Sequence, residues 1–198
     1  LDISNEIMKK YGGVGGGIDW EKPYLLMVQH PVTTSYGEGL SQVNETLNAL
    51  RSISDIQKIV LWPNVDAGTD EISKGLREFR EHNKDLPFHF FRNFSPEDYA
   101  RVLNNAHCVV GNSSSFIREG SFLGVPAVIV GDRQEGREHG SNIVFSDYDK
   151  NDIRLKIESQ LDSGINQKEN LFGDGTAGRL IADKLSVIDL DIKKRMTY

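Results

Sequence analysis

The stretch CVVGNSSSFIREGSFLGVPAVIVG, residues 108–131, contains one complete repeating unit of the fold. It has an apolar run, a serine-rich junction, a segment with apolar residues at helical spacing, and a second apolar run. Short apolar runs on either side of an amphipathic helix are typical of two parallel strands joined by a crossover helix. Ser113, Ser114 and Ser115 fall where the first strand passes into the helix, so this junction is the first candidate for a binding site.

The same alternation extends in both directions from this unit. The apolar runs are YLLMVQH (24–30), KIVLWPN (58–64), FHFF (88–91), CVVGN (108–112), AVIVG (127–131) and NIVF (142–145). Helices are predicted between the runs and near 150–163 and 176–186, and Ser95 followed by Pro96 is a favourable helix start. Repeated units of this kind predict an α/β fold, a Rossmann-like parallel sheet with helices on both faces.

Composition divides the chain into three predicted parts. Residues 1–22 end in YGGVGGGIDW, which has no strand before it and no helix after it and is interpreted as a glycine-rich hinge. Residues 23–186 form the predicted binding domain, and residues 187–198 a C-terminal tail. The chain begins at Leu1, with no initiating Met and no signal peptide, so we expect a fragment of a longer protein.

The overall composition argues against several classes of function. The formal net charge is -6, and no basic patch with interleaved aromatic residues suggests a nucleic-acid surface. No apolar run reaches the length of a membrane span. The single cysteine, Cys108, argues against a disulfide framework and for a reducing cytoplasm. The five histidines are scattered without zinc-like spacing, so neither a metal nor a cofactor is predicted.

Chemically versatile residues collect in the loops that follow the predicted strands. These loops are QHPVTT (29–34), WPNVDAG (62–68), FRNF (91–94), GNSSS (111–115) and GDRQEGR (131–137). Doubly wound sheets bind ligands beyond the carboxyl ends of their strands, so the site is predicted at this edge. His30 precedes a proline at the end of the first strand, and we expect it to be displayed rather than buried. Asn64 and Asp66 either face the site or form a turn with an Asx cap.

The serine junction favours a phosphate site, because a helix N-terminus offers free amides and the positive end of a dipole. No capping box forms here, since the residues three positions after the serines are Phe, Ile and Arg. Glu119 is therefore free to accept hydrogen bonds from a sugar diol, and Arg133 is suited to a diphosphate. Simpler alternatives stay open: a helix cap, a solvated Glu119, and Arg137 paired with neighbouring glutamates.

The order and spacing of QHPVTT, PNVDAG, GNSSSFIREGSFLGVPAVIVGDRQEGRE and FGDG resemble the UDP-N-acetylglucosamine 2-epimerase family. The resemblance runs from about Tyr24 to about Ile188. The HPVTT form is similar to the hydrolysing branch, since the other branch typically carries HR-x-EN there. The resemblance implies a GT-B fold with the nucleotide sugar held between two Rossmann-like domains. This chain would be the C-terminal half, which binds UDP.

Carried over residue by residue, the resemblance implies that Ser113 and Ser114 bind the diphosphate and that Glu119 holds the ribose hydroxyls. Arg133 would line the nucleotide-sugar site, and His30 would be the active-site histidine. The family's proton-transferring carboxylates lie in its N-terminal domain. The resemblance therefore implies that this chain binds nucleotide without turning over by itself.

Four further residues belong to the predicted site. Asn64 and Asp66 match a loop that faces the family's cleft. The stretch RNF, which ends at Phe94, lies where the family's backbone reads the uracil edge. Asn112 directly precedes the serines and is assigned to the same UDP and substrate site.

The resulting prediction is the UDP-binding domain of a hydrolysing UDP-N-acetylglucosamine 2-epimerase in sialic-acid-type sugar biosynthesis. The resemblance implies that the whole enzyme eliminates UDP and adds water, giving N-acetylmannosamine and UDP without a metal. We expect it to be a cytoplasmic homo-oligomer with UDP and UDP-N-acetylglucosamine as ligands. The alternatives are an epimerase for a 2,4-diacetamido UDP-sugar, a GT-B glycosyltransferase, and a nucleotide-sensing module.

Overall fold

A seven-stranded sheet forms the centre of the computed structural model, which describes residues 1–189. The strands are β1 (Val14–Gly15), β2 (Tyr24–Val28), β3 (Gln57–Leu61), β4 (Phe88–Phe91), β5 (Cys108–Gly111), β6 (Ala127–Val130) and β7 (Ile143–Ser146). Their order is β1-β4-β3-β2-β5-β6-β7, and every pair in it is parallel apart from β1 with β4. The order reverses between β2 and β5, which is where sheets of this class bind ligands.

Helices cover both faces of the sheet. They are α1 (Glu6–Tyr11), α2 (Gly39–Ser52), α3 (Thr69–His82), α4 (Pro96–Asn104), α5 (Ser114–Leu123), α6 (Lys150–Ser163) and α7 (Ala177–Val187). The core on one face is formed with α2, α3 and α6, and the core on the other face with α1, α4 and α5. The predicted α/β fold, a Rossmann-like parallel sheet with helices on both faces, is therefore confirmed.

The central strand β2 shows why the strands read as continuous apolar runs. All five of its residues are buried. Leu25 and Met27 enter one core, whereas Leu26 and Val28 enter the other. Each fully buried side chain of this kind stabilises the fold by about 1.5–3 kcal/mol. Two-sided burial therefore fixes the strand ends from which the loops of the predicted site emerge.

The N-terminal segment departs from the predicted free hinge. Residues Glu6–Tyr11 form α1, and the two residues of β1 pair with β4. Gly13 and Gly15 have φ angles of 91° and 135°, and a Cβ atom there would come within 2.4 and 2.2 Å of atoms of β4. Glycine is required at these positions by backbone conformation and by close packing on β4. A glycine-rich stretch read as flexible is thus packed against the sheet edge.

The predicted domain boundaries at residues 23 and 186 stay predictions. Of the predicted C-terminal tail, 187–198, residues 190–198 lie outside the part of the chain that the structure describes. Helix α7 has no buried residue.

Within residues 1–189, no helix combines the length and apolar character needed to cross a bilayer. In the same range, no three His, Cys, Asp or Glu side chains are grouped so that they could hold a metal ion.

Candidate functional site

A cleft of about 860 Å³ opens beyond the carboxyl ends of β2, β3, β4 and β5. Four of the predicted site residues line it, namely His30, Asn64, Phe94 and Ser113. Ser115 of the serine junction also lines it, together with residues that the sequence did not single out, among them Arg77, Arg80 and Tyr99. The cleft lies at the edge of the sheet where the sequence placed the site.

Asn112 supports the site from beneath. The preceding Gly111 has a φ of 132°, and a Cβ atom there would lie 2.1 Å from the Val28 carbonyl oxygen. This close approach brings Asn112 beside His30, whose backbone N–H donates to Asn112 Oδ1 at 2.7 Å. Asn112 Nδ2 donates in turn to the His30 carbonyl oxygen at 2.9 Å. Asn112 is fully buried, and its side chain joins β2 to β5. The prediction that Asn112 contacts the ligand is therefore wrong for its side chain.

The His30 ring is buried rather than displayed, with only 7% of the residue exposed. Its Nδ1 accepts a hydrogen bond from the Asn64 backbone N–H at 3.2 Å. Burial, with help from the positive charge of Arg133, lowers the pKa of His30 to about 4, although Asp66 opposes the shift. The ring is therefore neutral at pH 7, and because Nδ1 accepts, the proton lies on Nε2. The prediction of a displayed histidine was wrong, since the strand end is covered by the adjoining loops.

The serine junction is both a helix cap and part of the cleft wall. Ser113 caps α5 and accepts from the Ser115 backbone N–H at 3.4 Å. The Ser115 hydroxyl lies 2.8 Å from that of Ser113 and 2.5 Å from that of Tyr99. Burial raises the pKa of Tyr99 to about 12, so this chain of three hydroxyl groups is uncharged at pH 7. Ser114 is half-buried, and its hydroxyl makes no hydrogen bond with any residue in 1–189.

Glu119 is exposed one turn further along α5. It follows Ser115 by four residues, so both lie on the same face of the helix. Its negative charge contributes to the raised pKa of Tyr99, which lines the cleft, but Glu119 is not itself among the residues that line it. Among the described residues, no hydrogen bond or ion pair occupies this carboxylate. Glu119 is thus available to a ligand that lies against the start of α5.

Arg133 and Asp66 lie at a neighbouring cavity of about 280 Å³, which the loop after β2 also lines. Arg133 donates through Nη1 to the Asn112 carbonyl oxygen at 3.1 Å. The same oxygen accepts from Gln134 Nε2 at 2.7 Å. Gln134 is buried and was missed, because its own sequence neighbourhood carries no sign of burial. Asn112 therefore connects His30, which lines the larger cleft, to Arg133, which lines the smaller cavity.

Three arginines bring positive charge to the cleft, and the sequence did not single out two of them, Arg77 and Arg80. Arg77 and Arg80 extend from α3, and Arg92 begins the RNF loop. Within the described residues, none of the three forms an ion pair. On the sequence, Arg77 and Arg80 are indistinguishable from solvated charges on a polar helix face. The cleft combines them with the N-terminus of α5, so it favours an anion although the chain carries a net charge of -6.

Comparison with known proteins identifies the family of the chain. The family model described as UDP-N-acetylglucosamine 2-epimerase matches residues 3–186. The UDP-N-acetylglucosamine 2-epimerase of Neisseria meningitidis is 32% identical over 159 residues, which are 80% of this chain and 41% of that protein. A UDP-N,N'-diacetylbacillosamine 2-epimerase (hydrolyzing) of Legionella pneumophila is 26% identical, over 88% of this chain and 45% of that protein.

Solved structures show the same fold at lower identity. The UDP-GlcNAc 2-epimerase of Methanocaldococcus jannaschii gives a TM-score of 0.63 at 20% identity, over 86% of this chain and 46% of that one. The Neisseria meningitidis enzyme bound to UDP-GlcNAc gives a TM-score of 0.62 at 12% identity, over 85% of this chain and 46% of that one. The chain thus spans less than half the length of these relatives. Because the family model matches nearly the whole of it, the chain belongs to the UDP-N-acetylglucosamine 2-epimerase family.

Proposed function

We propose that this chain is the UDP-binding domain of a hydrolysing UDP-N-acetylglucosamine 2-epimerase. The observation that carries the proposal is the pairing of Glu119, an exposed carboxylate without a protein partner in residues 1–189, with the serine-capped start of α5 one turn earlier. A nucleoside diphosphate fits this pair, because its diphosphate can bind at the helix N-terminus while its ribose hydroxyls donate to the carboxylate. The relatives crystallised with UDP or UDP-GlcNAc support the choice of ligand.

Each side chain then has a role in holding the nucleotide. The amides at the start of α5, with Ser113 and Ser114, bind the diphosphate, while Arg133 supplies a guanidinium from the adjoining cavity. Glu119 accepts from the ribose hydroxyls. The loop that contains Phe94 forms the wall for the base. Asn64 and Asp66 act at the sugar side, beyond His30.

His30 acts as a neutral hydrogen-bond donor in this proposal. Its pKa of about 4 makes an imidazolium rare at pH 7, and its Nδ1 is occupied by the Asn64 N–H. The Nε2–H group is left to donate to the departing phosphate or to the reacting sugar. Such a donor stabilises the negative charge that develops on the diphosphate as the bond to the sugar breaks.

The full reaction needs groups beyond this chain. In the proposal, elimination of UDP is followed by addition of water to give N-acetylmannosamine, and carboxylates of the other half transfer the protons. The whole enzyme would be a cytoplasmic homo-oligomer. A second candidate substrate is a 2,4-diacetamido UDP-sugar, because relatives named for UDP-N,N'-diacetylbacillosamine match at 26% and 28% identity.

Incubation with each UDP-sugar in the absence of an acceptor tests the proposal. The full-length protein should release free UDP together with N-acetylmannosamine, and the 198-residue chain alone should release neither. Retention of the product as a UDP-linked sugar would assign the protein to the non-hydrolysing branch. Turnover of the diacetamido sugar alone would select the second substrate. Absence of both reactions would refute an epimerase function.

A further inference from the structure

The loop that carries Phe94 is held by the N-terminal segment of the chain. The Phe94 ring lies 4.9 Å from the Tyr11 ring at an interplanar angle of 79°, and 4.8 Å from Phe91. The backbone N–H of the next residue, Ser95, donates to the Tyr11 hydroxyl at 2.9 Å. A single tyrosine therefore contacts both the side chain of Phe94 and the backbone that follows it.

The Tyr11 hydroxyl is itself fixed by a carboxylate. It donates to Asp98 Oδ2 at 2.6 Å, and the same carboxylate accepts from Lys10 and Arg101, each at 2.7 Å. Asp98 is buried, and the hydrogen bonds from Lys10 and then Tyr11 hold its pKa well below the usual range. The carboxylate stays charged over the whole physiological range. The Tyr11 hydroxyl therefore donates its proton to Asp98, and its oxygen accepts the hydrogen bond from the Ser95 N–H.

Tyr11 is also held by contacts of its own segment that do not involve the loop. Helix α1 ends at Tyr11, and the glycine-rich segment that follows pairs with β4. The two ring nitrogens of His89, in β4, lie 2.6 and 3.0 Å from the carbonyl oxygens of Gly16 and Gly12. The segment is thus attached to the sheet on the C-terminal side of Tyr11. Tyr11 can therefore serve as a reference point for the more exposed loop.

We infer that Tyr11 is a positioning residue for nucleotide recognition: through Ser95 and Phe94 it fixes the wall of the cleft that receives the base. This inference rests on the proposed function, since it assigns the base to the Phe94 loop. It predicts a loss that depends on the ligand. A ligand with a base should lose affinity when the Tyr11 hydroxyl is removed, whereas pyrophosphate, which would contact only the α5 end of the cleft, should not.

Tyr11→Phe is the test variant, because it keeps the ring against Phe94 and removes both hydrogen bonds of the hydroxyl. Tyr24→Phe is the matched control, since the Tyr24 hydroxyl donates a buried hydrogen bond to the Val102 carbonyl oxygen at 2.6 Å and not to Phe94 or Ser95. Titration calorimetry on the 198-residue chain should show UDP binding about tenfold weaker in Tyr11→Phe, with pyrophosphate binding unchanged. Tyr24→Phe should leave both affinities unchanged. Amide hydrogen exchange at Phe94 and Ser95 should become about tenfold faster only in Tyr11→Phe.

The outcomes separate the inference from the proposed function. If the wild-type chain binds UDP no more tightly than pyrophosphate, the nucleotide site is wrong, and the positioning role is refuted with it. If the wild-type chain prefers UDP but Tyr11→Phe keeps the same ratio of affinities, the inference on Tyr11 alone is overturned. Equal losses for UDP and pyrophosphate, or equal effects in the two variants, would assign the Tyr11 hydroxyl a purely structural role.

Discussion

Replacing Asn112 by alanine tests the connection that holds the two halves of the site together. The Asn112 side chain satisfies both the N–H and the carbonyl oxygen of His30, at 2.7 and 2.9 Å, in a fully buried position. Asn112→Ala leaves these two backbone groups without partners. Each unsatisfied buried group costs about 1–3 kcal/mol, so we expect the free energy of unfolding to fall by about 3 kcal/mol.

Asn142 provides a matched control at the opposite edge of the sheet. It is 1% exposed, donates to the Val125 carbonyl oxygen at 2.8 Å and accepts from the Ser121 hydroxyl at 2.8 Å. Asn142→Ala should therefore destabilise the chain by a similar amount, about 3 kcal/mol. Urea denaturation at pH 7 measures both losses. UDP affinity, measured below the unfolding transition, should fall by about tenfold or more in Asn112→Ala and stay unchanged in Asn142→Ala.

Two results would refute this reasoning. Stability of Asn112→Ala within about 0.5 kcal/mol of the wild type would mean that the His30 backbone finds other partners. Equal UDP affinities in the two variants would mean that the arrangement of His30 and Arg133 does not depend on Asn112. In either case the bridge between β2 and β5 would not be what organises the site.

Three further predictions concern charged and hydroxyl groups. Ser113→Ala combined with Ser114→Ala should weaken UDP binding while costing only about 0.5–2 kcal/mol of stability; a large loss in thermal stability with normal UDP binding in the folded fraction would reduce the serines to caps. The pKa of His30 falls from 6.5 to about 4 on folding, so the unfolded state binds more protons between these values and stability should drop by about 3 kcal/mol from pH 6.5 to pH 4. Urea titrations should show a weaker dependence of stability on pH in His30→Asn, and an unaltered dependence would contradict this prediction. Burial lowers the pKa of Lys58 to about 8, so the free energy of unfolding should rise from pH 8 to about pH 10.5. Lys58→Met should remove that rise and stabilise the chain by about 2 kcal/mol at pH 7, and thermal melts that show a loss of stability instead would contradict this prediction.

The sheet could be predicted because its determinants are local and repeated. Strands such as β2 are buried on both faces and therefore read as apolar runs without interruption. Helix starts such as Ser95 with Pro96 carry their own cap, and Ser95 accepts from the Asp98 N–H in the structure as expected. The site edge followed from these strands, because polar loops at one edge of a parallel sheet meet at the switch point.

The parts that could not be predicted depend on contacts between distant segments. The glycines around Gly13 and Gly15 carry the composition of a linker, and their close packing on β4 is visible only once the sheet is formed. The burial of His30 depends on loops that follow other strands. Asn112 has the residue type of a ligand-binding group, yet its side chain is committed to His30, 82 positions away in the chain. Arg77 lines the cleft because α3 shares a core with β3 and β4.

A calorimetric titration of the 198-residue chain with UDP and with pyrophosphate, in the wild type and in Glu119→Gln, tests the central claim most directly. A charge-assisted hydrogen bond to the ribose contributes about 1.5–3 kcal/mol, so Glu119→Gln should weaken UDP by roughly tenfold to a hundredfold. Pyrophosphate binding should be unchanged, and Glu21→Gln, an exposed position before β2, should alter neither ligand. Equal losses for UDP and pyrophosphate in Glu119→Gln, or no loss for either, would contradict a nucleoside diphosphate site at the start of α5.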